Sequence, residues 1–167
     1  MKLLANPDDD SGRLGVRPAD AADVATLWRV VLDAWTGTVD PRSSGHSLRR
    51  EEVEEWFLHG GAFLAERSGV AVGSIAWLRA GDTVEIAKLA VIPRARGQRI
   101  APKLVAAVES CAAGIGARQL LLAVSAYSPS LVGWYERLGY LVDENARYLH
   151  ASPTSPPPFV LVKRVAS

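Results

Sequence analysis

The sequence predicts an α+β domain in which helices cover a mixed, mostly antiparallel sheet. Three observations carry that prediction. Segments 62–67 (AFLAER), 70–78 (VAVGSIAWL) and 83–92 (TVEIAKLAVI) are strand-like runs joined by Ser68-Gly69 and Ala80-Gly81-Asp82, connections typical of antiparallel hairpins. The run RQLLLAVSA at 118–126 is apolar nearly throughout, as a central strand buried on both faces should be. Between them Ile100, Leu104, Val108, Ala112 and Ile115 recur almost every fourth residue, which makes an amphipathic helix closed by Gly114 or Gly116.

The remaining elements follow from caps and breakers. RLGVRP, 13–18, is a short strand with Leu14 and Val16 on one face. Asp20 caps a helix in which Val24, Leu27, Trp28, Val31 and Trp35 share helical spacing. The loop TGTVDPRSSGHS, 36–47, leads to a second helix capped by Ser47, with Val53, Trp56 and Phe57 inward, and HGG stops it. Ser128-Pro129 is a cap followed by a proline at the first helical position, opening a short helix that ends near Gly139. ARYLHAS and FVLVKRV pair as the last two strands across the proline-rich SPTSPPP, 152–158. The order is β-α-α-β-β-β-α-β-α-β-β, with about four helices: a polar, acidic tail over 1–12 and one domain over 13–167.

The totals exclude several classes of function. A net charge of +1 in 167 residues gives no basic field for nucleic acid. The opening MKLLANPDDD is too short in apolar residues for a membrane span or a signal segment. The single cysteine, Cys111, cannot form an internal disulfide, which fits a reducing, cytoplasmic setting, and on the inward stripe of its helix it reads as core. His46, His59 and His150 lack the spacing of a metal site, so no metal is expected.

IPRARGQRIAPKL, 92–104, crowds Arg94, Arg96 and Arg99 between a strand and a helix. A helix start carries unpaired N–H groups and the positive end of the helix dipole, a ready site for an anion. Arginine forks match phosphate oxygens, and Gly97 lets the backbone approach a ligand closely. A solvated basic loop is the plain alternative. No G-x-x-x-x-G-K-[ST] or G-x-G-x-x-G pattern is present.

LAVIPRARGQRIAPKL resembles the acetyl-CoA loop of the GNAT superfamily of N-acyltransferases, whose pattern is [RQ]-x-x-G-x-[GA] after a V-x-P strand end. Val91, Pro93, Arg96, Gln98, Arg99 and Ala101 carry the match. SPSLVGWYERLGYLV, 128–142, is similar to the family's N-x-x-A-x-x-[FY]-Y-x-x-x-G-[FY]. The likeness spans about residues 13–165. Three positions depart from it. Arg99 replaces the central glycine and must still reach its backbone angle. Pro102 removes an N–H and biases Ala101 away from helix, delaying the helix start. Ser128 replaces the usual asparagine.

The resemblance implies transfer of acetyl from acetyl-CoA to a primary amine of a small molecule, by direct attack in one ternary complex. It assigns cofactor contacts to Leu89, Ala90, Val91, Arg96, Gly97, Gln98, Arg99, Ile100, Ala101 and Ser128. A backbone N–H at Leu89 or Ala90 would serve as oxyanion donor. Tyr135 falls at the family's tyrosine, as the acid for the leaving thiolate. Periodicity alone would make it a core residue beside Leu131 and Leu138. Glu85 is implied as the base, with a surface pair to Lys88 as its structural alternative and His150 as its rival. The acceptor pocket would use Trp35, Thr36, the 37–46 loop, Tyr148 and His150, while Trp28 and Trp77 read as core. A catalytically idle acyl-CoA-binding module is the competing function. A homodimer through the last strands is compatible with the pattern.

Overall fold

The computed structural model describes residues 12–42 and 47–166. Most of the predicted tail and part of the 36–47 loop, with His46, lie outside the described residues. The elements come in the predicted order: β1 (Leu14–Pro18), α1 (Val24–Trp35), α2 (Arg50–His59), β2 (Gly60–Arg67), β3 (Val70–Ala80), β4 (Thr83–Val91), α3 (Ile100–Gly114), β5 (Gln119–Val124), α4 (Ser130–Arg137), β6 (Leu141–Val142) and β7 (Phe159–Arg164).

The seven strands form one sheet in the order β1-β2-β3-β4-β5-β7-β6. Every neighbouring pair is antiparallel except β4 with β5, which the α3 crossover makes parallel. Helices α1 and α2 pack on each other and on the β3 region, and α3 packs along β1 to β4. Leu27 and Val31 of α1, Leu64 of β2, Ile75 of β3, Val84 of β4, Leu104 of α3 and Leu120 of β5 are sealed in a common core. Gly73 of β3 allows the close approach of α3, because a Cβ there would meet Ile100 and Leu104 at 3.1 Å.

Asp20 does cap the entry to α1. Its side chain accepts from the Ala22 N–H at 2.8 Å while Asp23 accepts from the Asp20 N–H at 3.0 Å, a reciprocal box on the single 3₁₀ turn before the helix. Arg17 of β1 ties this turn to the sheet through Asp23 at 2.8 Å.

Four local expectations are corrected. The residue flanking α2 is Arg49 in extended conformation, not Ser47, and Arg49 reaches forward to Glu52 at 3.0 Å. Helix α3 starts at Ile100 without delay, because Pro102 falls in the first turn, where an N–H has no intrahelical partner anyway. Helix α4 starts at Ser130, after Pro129, and the Ser128 side chain makes no cap bond. The strand that joins β7 is Leu141–Val142 rather than ARYLHAS. Gly139 turns the chain with φ +94 straight from α4 onto β7, whereas 146–152 is held as coil between the Asp143 turn and the prolines.

Two glycines predict opposite outcomes on substitution. A methyl at Gly60 would sit 1.9 Å from the Trp77 carbonyl oxygen, so Gly60→Ala should cost about 1–3 kcal/mol in urea unfolding. Gly114, at the end of α3, has open space around it. Gly114→Ala should therefore leave stability equal or raise it by up to about 1 kcal/mol.

Candidate active site

The site begins where the sheet comes apart. β4 and β5 pair only over Thr83–Glu85 with Gln119–Leu121 and then diverge. β5 keeps its other edge on β7 through Val124, and β4 keeps β3 through Val91, so both strands stay extended while the space between them opens. A cavity of about 280 Å³ fills this gap, with Ile86, Leu89, Val124, Ser128 and Tyr135 among its lining residues.

The register on β3 decides which backbone groups face the gap. Ser74 pairs with Ala90, and the Ile92 N–H donates to the Val72 carbonyl at 3.0 Å. The alternation of an antiparallel ladder then turns the backbone groups of Ala90 toward Ser74 and those of Leu89 and Val91 away from β3, Leu89 lining the cavity. Of the two candidate oxyanion donors, the Ala90 N–H thus faces β3 and the Leu89 N–H faces the gap. The carbonyls of Leu89 and Val91 already accept from Trp35 Nε1 at 3.4 Å and Arg96 Nε at 3.3 Å. The register shifts between Ser74 and Ala76, bulging β4 opposite, where Lys88 holds φ +52.

After β4 the chain passes one 3₁₀ turn (Pro93–Ala95) and enters the arginine loop. Gly97 has φ +76 with nothing near its missing Cβ, and Arg99 takes the left-handed φ +60 that its position requires. Among the described residues no protein acceptor takes the N–H of Gly97, Gln98 or Arg99, and those of Ile100 and Ala101 fall in the first helical turn. Gly97, Gln98 and Arg99 are exposed. The three arginines divide their roles. Arg96 is exposed but lies back along the chain, its Nη2 donating to the Ala34 carbonyl at 2.6 Å, so it braces the loop on the end of α1. Arg94 lies against a separate groove beside α1, and Arg99 stands at the helix mouth. The exposed donors, the open space at Gly97 and the helix start fit a diphosphate.

Tyr135 on α4 is buried and borders the cavity, stacked edge-on with Trp134 and Tyr140 at 4.8 and 5.9 Å. Leu131, expected on the same inward face, is instead exposed at the rim. Burial pushes the Tyr135 phenol up to about 12. Its hydroxyl has no hydrogen-bond partner among the described residues and keeps its proton at neutral pH.

Glu85 and His150, the two candidate bases, lie side by side. His150 Nε2 stands 3.6 Å from Glu85 Oε2, on the segment that leads from β6 to β7. Burial raises the Glu85 carboxyl above its ordinary range, and the His150 and Lys88 charges oppose that rise. Lys88 makes no ion pair with Glu85. Tyr148 lies edge-on to His150 at 5.8 Å, its phenol pushed up to about 12 by burial and the nearby Glu85.

One side of the cavity is walled by Trp35, Tyr148, His150, Pro156 and Pro158. Arg42, from the 37–46 loop already assigned to the acceptor pocket, and Tyr127, which sequence reasoning passed over, also line it. The Arg42 guanidinium lies 4.0 Å over the Tyr127 ring and is held by Asp40 at 2.9 and 2.7 Å. Lys88 was also missed, since no residue in TVEIAKLAVI signals a bulge. Trp28 is held by the Leu48 carbonyl at 3.0 Å and stays with the core. Cys111 is half-buried rather than sealed, and burial raises its thiol. Among the described residues no three His, Cys, Asp or Glu gather as a metal site, and no helix is long and apolar enough to cross a membrane.

Comparison with known proteins agrees with this geometry. A PaiA N-acetyltransferase from Thermoplasma acidophilum, solved with coenzyme A, superposes with TM-score 0.75 at 16% identity, covering 91% of this chain and 99% of that one. The ribosomal-protein-S18-alanine N-acetyltransferase of Escherichia coli gives 0.74 at 13% identity, covering 93% and 96%. In sequence, an IAA acetyltransferase of Azospirillum brasilense is 30% identical over 111 residues, 65% of this chain and 71% of that protein. The model of the acetyltransferase (GNAT) family matches residues 26–140. A sheet split between β4 and β5, an open helix mouth after β4 and this family match together make the chain an acyltransferase of the GNAT family.

Proposed function

We propose that the chain acetylates a primary amine of a small molecule by direct attack within one ternary complex with acetyl-CoA. The observation that carries this reading is the β4–β5 cavity, in which Tyr135, the Leu89 backbone and the acceptor wall around His150 meet. Bound there, the acyl donor supplies an activated thioester. Gly97, Gln98, Ile100 and Ala101 would hold its diphosphate through their backbone N–H groups, with Arg99 adding charge. The facing edges of Leu89 and Val91 and the Ser128 rim would hold its arm.

The Leu89 N–H is the oxyanion donor of this reading, because the ladder turns it into the gap. The Tyr135 Oη keeps its proton and offers it toward the leaving sulfur. The Glu85–His150 pair takes the proton of the incoming ammonium, directly or through water. Trp35, Tyr148 and the prolines exclude bulk water and set the width of the acceptor. A cavity of this size suits a small amine.

Thiol release over an amine panel, with acetyl-CoA as donor, tests the activity. Tyr135→Phe should keep the fold and lower kcat on the order of 100-fold or more; turnover at the wild-type rate removes Tyr135 from the mechanism. Arg99→Gly relieves a left-handed side chain, so its melting temperature should hold or rise while CoA binds several-fold more weakly by calorimetry.

Glu85 gives a prediction with two signs. Its folded-state pKa lies above the ordinary 4.5, so ionising it costs stability that first appears as pH rises past that value. Glu85→Gln should therefore melt no lower than wild type at neutral pH, and the difference should shrink toward pH 4. The same variant should lose most of its turnover. A lower melting temperature at neutral pH would show that ion pairing with His150 outweighs burial.

A further inference from the structure

Resting on the amine reading above, we propose that Lys88 is a subsite for a carboxylate on the acceptor. The substrate class is then a small amino-carboxylate whose ammonium faces Glu85 and His150. The argument starts from counter-ions. Lys88 lines the cavity and is half-buried, at the left-handed residue of the β4 bulge. Among the described residues no carboxylate comes within ion-pair distance of its amine, and no protein atom accepts a hydrogen bond from it. Its neighbour is the Trp35 ring, with Nζ 5.3 Å from the centroid.

The acids around Lys88 have partners of their own. Glu52 of α2 is bonded to Arg49 at 3.0 Å, and Glu85 faces His150 at 3.6 Å. Both act on Lys88 only through space, and burial lowers its pKa against them. The arginine of the cavity wall, Arg42, is bound by Asp40. Lys88 is thus the half-buried ammonium of the cavity left open to a ligand's carboxylate, a pairing that partial burial makes stronger than in water.

This arrangement also orients the acceptor. An incoming ammonium is repelled by Lys88 and drawn to Glu85, so a molecule carrying both charges has one favourable way to lie. Trp35 and Tyr148 then take its apolar or aromatic body. An amine without the carboxylate leaves Lys88 unpaired and gains nothing from it.

The test compares amino acids with their decarboxylated amines: phenylalanine with phenethylamine, tryptophan with tryptamine, β-alanine with ethylamine. Thiol release is followed for wild type, Lys88→Met and Lys88→Arg, and folding is checked by melting temperature. In wild type the carboxylate-bearing member of at least one pair should lead by roughly 10- to 100-fold in kcat/KM. Lys88→Met should abolish that lead mainly through KM, and Lys88→Arg should keep most of it. Decarboxylated amines turned over as well as, or better than, their parent amino acids in wild type would overturn the proposal, whatever the variants do. A lead that survives in a folded Lys88→Met would also overturn it. If no member of any pair releases thiol while CoA still binds, the amine reading itself fails, and the Lys88 subsite with it.

Discussion

The site depends on one constraint: two neighbouring parallel strands that stop pairing after three residues. Opening a sheet in its middle exposes rows of backbone donors and acceptors, and each group left buried without a partner costs about 1–3 kcal/mol. The chain meets this in two ways. Each strand is secured on its outer side, β5 by six residue pairs with β7 and β4 by its ladder with β3. The inner edge of β4 is then answered by side chains, Trp35 on the Leu89 carbonyl and Arg96 on that of Val91. Both also touch α1, Trp35 as its last residue and Arg96 through the Ala34 carbonyl, so the end of α1 acts as the brace of the gap.

Backbone strain is concentrated at the same place. Among the described residues three non-glycines have positive φ: Ser68 in the β2–β3 turn, Lys88 and Arg99. Lys88 turns a cation into the cavity through the bulge. Arg99 opens the helix mouth so that its N–H groups face solvent. A left-handed side chain costs of order 1 kcal/mol or more, and such residues persist where the surrounding structure holds them. Here Trp35 covers Lys88 from α1, and Ile100 anchors the residue after Arg99 in the core.

The fold was legible because its signals are local. Strand period, hairpin turns and the fourfold spacing from Ile100 to Ala112 each need only a short window, and all recur in the structure. The arginine loop was legible as a helix start, down to the backbone angle of Arg99. Illegible features were those made by pairing. Nothing in TVEIAKLAVI marks where β5 lets go, or that Lys88 bulges without a glycine. The contact of Glu85 with His150 spans 65 positions and belongs to tertiary packing. ARYLHAS carries apolar alternation, yet the strand beside β7 is taken by Leu141–Val142, which Gly139 delivers there first. Arg96 belongs to a phosphate loop by sequence and to α1 by geometry.

The burial that makes Tyr135 a candidate acid also weakens it as an acid, since its phenol is pushed up to about 12. A free thiol has a pKa of about 8.5, so a full proton transfer between these groups in water would run uphill. The comparison changes inside the cavity, because desolvation disfavours every anion there. Cys111 shows the direction for sulfur in this chain: even half-buried, its thiol is raised by burial. A thiolate formed beside Tyr135 would be deprived of water in the same way, and the gap between the two acids narrows. Among the described residues Tyr135 also has no protein acceptor to satisfy first, so its proton is free for the sulfur. In the proposed reaction its contribution is therefore largest as charge appears on that atom, as a strong hydrogen bond that completes into transfer only when the leaving group is desolvated. The aromatic wall of the gap is then part of the acid's chemistry and not only its container.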